Sequence, residues 1–243
     1  HYRKKNTDSA QEELILNLPE MAKGSNYFSL GDKSISENNR FLAYSIDLFS
    51  RREYTIFIKD LKTGKLLMDR IHNTTGDITW ANDNKTIFYT KKDEVTLRSS
   101  QIFKHILDTD SSKDVLVFEE KDKAFSCSIF KTKSKRYLMI GSYQTLSTEY
   151  QFLDANDPHG QWKVIQPRER NLEYSVSHFE DKFYIRTNWD AKNFKLMKTS
   201  INSTSKANWQ EVIAHRQDVL LKSVDVFKNY LLLNERKDGL SKT

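Results

Sequence analysis

Ser36-Glu37-Asn38-Asn39-Arg40 is a polar turn run directly before the strand-like Phe41-Leu42-Ala43-Tyr44-Ser45. The same couplet returns as Ala81-Asn82-Asp83-Asn84-Lys85 before Thr86-Ile87-Phe88-Tyr89-Thr90. Thr132-Lys133-Ser134-Lys135-Arg136, Phe179-Glu180-Asp181-Lys182 and Phe227-Lys228-Asn229 continue the series. The interval is about 45–50 residues, the period of β-propeller blades built from four strands each. Asn, Asp and Ser favour such turns because their side chains bond the nearby backbone. The β-branched and aromatic runs between them favour a pleated, half-buried surface.

Working outward from these turns, the expected architecture is all-β: a partial β-propeller with four complete four-stranded blades and two half blades. The complete blades are expected at 30–71, 77–120, 125–166 and 172–214. The first has strands near 32–36, 40–46, 54–60 and 66–70. Residues 1–18 and 219–236 give a half blade of two strands at either end. Only Glu20-Met21-Ala22-Lys23 suggests a helical turn. A propeller removes exposed strand edges by closing its ring. Two strands at each end therefore suggest a composite blade that closes a smaller ring, or an edge-mediated dimer.

Composition excludes several classes. No run approaches the eighteen uninterrupted apolar residues of a membrane helix. The start, His1-Tyr2-Arg3-Lys4-Lys5-Asn6, lacks the apolar core of a secretory leader. One cysteine, Cys127, rules out an intrachain disulfide and any cysteine-based metal cluster. It falls on an apolar strand and reads as a small buried hydrophobe. The net charge is +6, but the lysines are dispersed. Lysines on edges and turns keep strands from pairing with other chains. No arginine-rich stripe or base-stacking motif points to nucleic acid. A basic propeller that binds anionic polymers remains an alternative, as does a stand-alone interaction scaffold.

Catalytic motifs are missing. Gly24-Ser25 and Gly141-Ser142 lack the second glycine of a G-x-S-x-G nucleophile elbow. No phosphate-binding glycine loop and no zinc-binding H-E-x-x-H is present. The six histidines share no ligand spacing, so His105 and His178 read as structural and no metal or cofactor is expected. Asp60, Asp83 and Asp157 read as turn residues. Three Asn-x-Ser/Thr triplets, at Asn73, Asn84 and Asn202, read as chance matches. Trp189-Asp190 occurs once, too rarely for a propeller whose every blade repeats that pair.

Several stretches carry a resemblance. Arg51-Arg52-Glu53-Tyr54-Thr55, Lys59-Asp60-Leu61-Lys62-Thr63-Gly64 and Thr79-Trp80-Ala81-Asn82-Asp83-Asn84-Lys85-Thr86 come first in the chain. Tyr89 to Arg98, Lys131-Thr132-Lys133-Ser134-Lys135 and Pro167-Arg168-Glu169-Arg170 follow. The fullest is Phe183-Tyr184-Ile185-Arg186-Thr187-Asn188-Trp189-Asp190-Ala191-Lys192-Asn193-Phe194. In order and spacing they resemble the prolyl oligopeptidase family of serine peptidases, in its oligopeptidase B (protease II) branch. The resemblance implies a seven-bladed propeller joined to a C-terminal α/β-hydrolase domain, the partner of this chain within the same protein. It implies cleavage of short basic peptides after Arg or Lys, and a cytoplasmic location in keeping with the lack of disulfides. The family's Ser-Asp-His triad lies in the hydrolase domain, and nothing here matches it. The chain is therefore expected to be inactive alone, and no catalytic residue is carried over.

The loops 47–53, 92–98, 143–147 and 187–193 each join a second strand to a third, and such loops share one face of a propeller. That face is expected to meet the hydrolase domain, with Arg51, Arg52, Arg98, Asn188, Trp189 and Asp190 near the contact or the substrate passage. The competing expectation is that these residues only cap their blades.

Overall fold

The computed structural model describes residues 1–7 and 9–243; Asp8, inside the expected first half blade, lies outside the described residues. The chain divides into two compact units, His1–Glu119 and Glu120–Thr243.

In the first unit, β1 (Tyr2–Arg3) and β2 (Glu13–Leu14) form a small antiparallel pair, followed by the single-turn helix α1 (Leu18–Met21). The helix begins at Asn17, whose side chain accepts from the Glu20 amide, with Pro19 in its first turn, where a missing N–H costs nothing. It starts slightly earlier than the sequence suggested. Seven strands then pair in chain order: β3 (Ser29–Ile35), β4 (Phe41–Asp47), β5 (Tyr54–Asp60), β6 (Leu66–Trp80), β7 (Thr86–Lys92), β8 (Ser99–Ile106) and β9 (Val115–Glu119).

The two four-stranded meanders that the sequence suggested are joined here in one sheet, with β6 shared between them. The break expected between residues 71 and 77 is absent, and β6 runs through it. Its first half pairs with β5 and its second with β7, and Thr74 is the hand-over point, opposite both Tyr54 and Lys91. The polar run Asn73-Thr74-Thr75-Gly76 makes a bulge rather than a turn. Asn73 and Gly76 have φ of 58° and 99°, and the register shifts between Thr74 and Ile78. Gly76 is needed there on two counts: its φ is unfavourable for other residues, and a Cβ would lie 3.0 Å from the Tyr54 ring.

Two apolar clusters hold this unit. One gathers Ala43, Ile56, Ile58, Ile71, Ile78, Trp80, Ile87 and Tyr89 from β4 to β7. The other packs Ile15 and Leu16 against Leu42, Tyr44, Ile46 and Leu61. The Trp80 indole donates to the Ser34 carbonyl at 3.0 Å, so its polar edge is satisfied inside the core.

The second unit contains two four-stranded antiparallel meanders. The first is β10 (Ser126–Lys131), β11 (Tyr137–Gln144), β12 (Ser147–Asp154) and β13 (Lys163–Gln166). The second is β14 (Tyr174–Phe179), β15 (Lys182–Thr187), β16 (Lys195–Ser200) and β17 (Gln210–Ile213). The last sheet has three strands, β18 (Leu220–Val226), β19 (Leu231–Lys237) and β20 (Leu240–Lys242). Two strands were expected over 219–236. The third forms because Asp238 and Gly239, at φ of 51° and 79°, make a tight hairpin turn beyond that range.

The core of this unit is aromatic. Tyr137, Phe152, Tyr174, Phe183 and Trp209 pack with Met139, Ile165, Ile185 and Met197. Tyr137 meets Phe152 edge-on at 5.3 Å between centroids, and Phe152 meets Phe183 at 5.0 Å. Cys127 is buried in β10, in line with its reading as a small hydrophobe. In both units the repeating element is an antiparallel meander of short strands, the construction of a β-propeller blade.

Candidate functional site

The loops that join second to third strands carry the residues singled out by sequence. In the first unit these are 48–53, between β4 and β5, and 93–98, between β7 and β8. Each is pinned by the aspartate before it or at its start. The buried Asp47 carboxylate accepts from the Phe49 and Arg52 amides, each at 2.8 Å. Asp93 accepts from the Val95 and Thr96 amides and from the Thr96 hydroxyl at 2.7–3.1 Å. These bonds, the Thr96 amide foremost, hold the Asp93 pKa below its ordinary value. Ser50, Arg52 and Leu97 all adopt positive φ, 55–59°. The two loops touch: the Lys92 ammonium donates to the Arg52 carbonyl at 2.6 Å.

Arg51 and Arg52 are exposed on the first loop, and Arg98 is half-buried at the end of the second, where its carbonyl accepts from the Asp93 amide. Beside them stand side chains that sequence reasoning did not single out. Phe49 is 77% exposed, Val95 91% and Leu97 63%, with Leu48 also exposed. A β-strand pattern does not reveal them, because a loop residue's exposure depends on which way its turn points it.

In the second unit the corresponding loops are 145–146 and 188–194. Asn188 is fully engaged within its own meander. Its carbonyl oxygen accepts from the Glu173 amide at 2.9 Å, and its amide group donates to the Asn171 carbonyl and the Glu173 carboxylate. Trp189 is half-buried against Trp209, at 6.1 Å and edge-on, with the Lys195 and Lys206 ammonium groups 4.9 and 5.5 Å from its ring. Asp190 is exposed, at φ of 46°. The loop thus uses Asn188 and Trp189 to fasten itself and leaves Asp190 outward.

Polar clusters elsewhere are structural. His105 is fully buried between two carboxylates, with Nε2 2.9 Å from Asp69 and Nδ1 2.7 Å from Asp114. Burial alone would depress its pKa, but the bonds to Asp114 and Asp69 outweigh it and raise the value to about 9. Tyr89 donates to the second Asp114 oxygen at 2.8 Å, and the Asp108 amide donates to Asp69. His105 therefore ties β6 to β8 and to the segment before β9. Arg168 plays a similar part in the second unit. Its guanidinium pairs with the buried Glu120 at 2.6 Å and with Glu149 at 3.4 Å, and lies 4.0 Å from the Phe125 ring centroid.

One serine–histidine contact exists, Ser134 Oγ to His178 Nδ1 at 2.8 Å. A nucleophile needs its base oriented by a third group. Among the described residues no carboxylate bonds the His178 ring, and burial lowers its pKa. Ser134 also bonds Thr132, as part of the turn before β11. Among the described residues no group of three His, Cys, Asp or Glu is placed to hold a metal. Among the described residues no helix is long and apolar enough to cross a membrane.

Comparison with known proteins agrees with this geometry. Residues 1–243 match the family model described as the prolyl oligopeptidase N-terminal beta-propeller domain. Dipeptidyl aminopeptidase BI from Pseudoxanthomonas mexicana is 38% identical over 96% of this chain, and protease 2 from Moraxella lacunata 34% over 96%. The match spans 32% and 34% of those proteins, about a third of their length. Oligopeptidase B from Leishmania major superposes with a TM-score of 0.91 at 29% identity, covering 98% of this chain and 34% of that one. The Trypanosoma brucei enzyme, in its closed form with covalently bound antipain, gives 0.87 at 26%, covering 98% and 33%. Antiparallel meander sheets and a family match over residues 1–243 lead to one conclusion: this chain belongs to the N-terminal β-propeller domain family of the prolyl oligopeptidases.

Proposed function

We propose that this chain is the non-catalytic propeller of a two-domain serine peptidase that cleaves short peptides after Arg or Lys, and that it serves as lid and size filter. The observation that carries the reading is the family match over residues 1–243, in a chain whose described residues assemble no nucleophile, base and acid. Bond breaking then belongs to an α/β-hydrolase domain elsewhere in the same protein, and this chain alone is inactive. A lid acts by excluding water and bulky substrates, which raises selectivity without supplying a reacting group. The protein works in the cytoplasm on short basic peptides.

In each unit by itself, the loops that join a second strand to a third, 48–53 and 93–98 in the first and 145–146 and 188–194 in the second, meet the hydrolase domain or the substrate passage. Arg51, Arg52, Arg98 and Asp190 supply charge there, while Asn188 and Trp189 hold their loop in position.

The test is a substrate-length series with the whole enzyme. Cleavage of arginine-containing peptides should fall sharply with length, and a folded protein with exposed arginines should survive. Equal cleavage of peptide and folded protein would contradict the filter.

A further inference from the structure

In the second unit, the first strands of three consecutive sheets, β10, β14 and β18, end around a cavity of about 100 Å³. That is room for about three waters, or for one small oxyanion in their place. Its polar lining includes Lys131, Lys133, Ser177, His178 and Asp225.

His178 is the unusual member. It is 6% exposed, and its ring is clasped by Tyr137 at 4.7 Å and Phe183 at 5.4 Å. Ser134 occupies Nδ1 at 2.8 Å. Nε2 is buried and meets no hydrogen-bond partner among the described residues. Buried polar atoms are nearly always paired, so an orphan on a residue that walls a cavity points to a ligand.

The surrounding charge selects an anion. Two ammonium groups, of Lys131 and Lys133, line the cavity against one carboxylate, Asp225, which Lys133 meets at 3.4 Å. The Lys133 ammonium also lies 3.6 Å from the Phe227 ring centroid, so it is held in place at the cavity. Around the imidazole itself, burial and the Arg136 guanidinium favour the neutral ring, while the Glu180 backbone and the Asp181 carboxylate favour the charged one; burial prevails and lowers the pKa. A protonated ring presents an N–H at Nε2. An oxyanion accepting from that N–H would make a charge-assisted bond, the strong kind.

We infer that this cavity binds one small oxyanion, a carboxylate or an inorganic oxyanion, which accepts from His178 Nε2 and joins the ends of β10, β14 and β18. A bound anion favours the imidazolium, so binding takes up a proton. Affinity therefore rises as pH falls, until the free ring protonates as well. The loops 145–146 and 188–194 lie at the other ends of β11 and β15, a strand's length from the cavity, so changes in its lining leave those loops untouched.

Isothermal titration calorimetry of the whole protein at fixed ionic strength tests this, with sodium sulfate in one arm and sodium acetate in the other. Saturable binding to a single site is expected, tighter at about pH 6 than at about pH 8, on either side of the ordinary histidine value. Tighter acetate binding would identify a carboxylate site, and tighter sulfate binding an inorganic one. His178→Phe should weaken binding about tenfold and remove its pH dependence. Lys131→Gln with Lys133→Gln should weaken it by a similar factor. Strand circular dichroism confirms that each variant folds; if His178→Phe does not, the lysine pair decides. No saturable binding, binding that ignores pH, or binding equally strong in the folded variants would overturn the inference.

Discussion

His105 shows how a single residue can organise a fold without doing chemistry. Held between Asp69 and Asp114, it is an imidazolium that keeps two buried carboxylates from facing each other alone. Its folded pKa, about 9, lies above the unfolded value of about 6.5. The stabilisation is therefore complete below pH ~6.5 and is lost as pH rises through about 9. Thermal unfolding should show Tm falling between pH 7 and pH 10. His105→Gln should lower Tm at pH 7 and flatten that alkaline fall, since the glutamine does not titrate. Breaking such a buried pair costs about 3–5 kcal/mol. The sequence suggested a structural histidine but not its partners, which lie 36 and 9 residues away and meet it only through sheet pairing. Arg51 and Arg98, by contrast, are singled out by a family resemblance and by the loops that carry them, 48–53 and 93–98. Their joint reversal to Glu in the whole enzyme should reduce kcat/KM on a short arginine peptide by about tenfold, equivalent to ~1.4 kcal/mol. Unchanged activity and unchanged domain association would remove them from the contact.

Among the elements, the meanders were readable because turn chemistry recurs at a fixed period. Asp60 and Asp83 bond the amides of Lys62, Thr63, Lys85 and Thr86, as turn residues should. The continuity of β6 was not readable. Asn-Thr-Thr-Gly has a turn's composition, yet here its polar groups serve a bulge: Thr74 bonds the Tyr54 carbonyl and the Gly76 amide. Gly76→Ala should destabilise by about 1–3 kcal/mol, from the positive φ and the approach to Tyr54. Denaturant unfolding would show it; a neutral result would mean that the bulge relaxes easily. The two capped loops offer a complementary test. Asp47→Ala removes both acceptors for the Phe49 and Arg52 amides, so hydrogen exchange at those sites should quicken about tenfold, as ~1.4 kcal/mol implies. Exchange in the centres of β4 and β5 should stay slow. Equal acceleration throughout would show that Asp47 supports the whole sheet rather than its loop.

Across the whole molecule, the family was legible through the resemblance of several stretches, and the match over residues 1–243 bears it out. Exposed apolar loop tips were not, because no periodic pattern distinguishes Phe49 from the fully buried Phe88. In the function proposed above, the strands serve as a lid and a domain elsewhere in the protein breaks the bond. The most direct measurement applies a serine-directed phosphonate probe and a fluorogenic arginine peptide to this chain and to the whole protein, side by side. The account predicts labelling and turnover by the whole protein and neither by the chain. Specific labelling of the chain with turnover would contradict it, by revealing a nucleophile within these sheets.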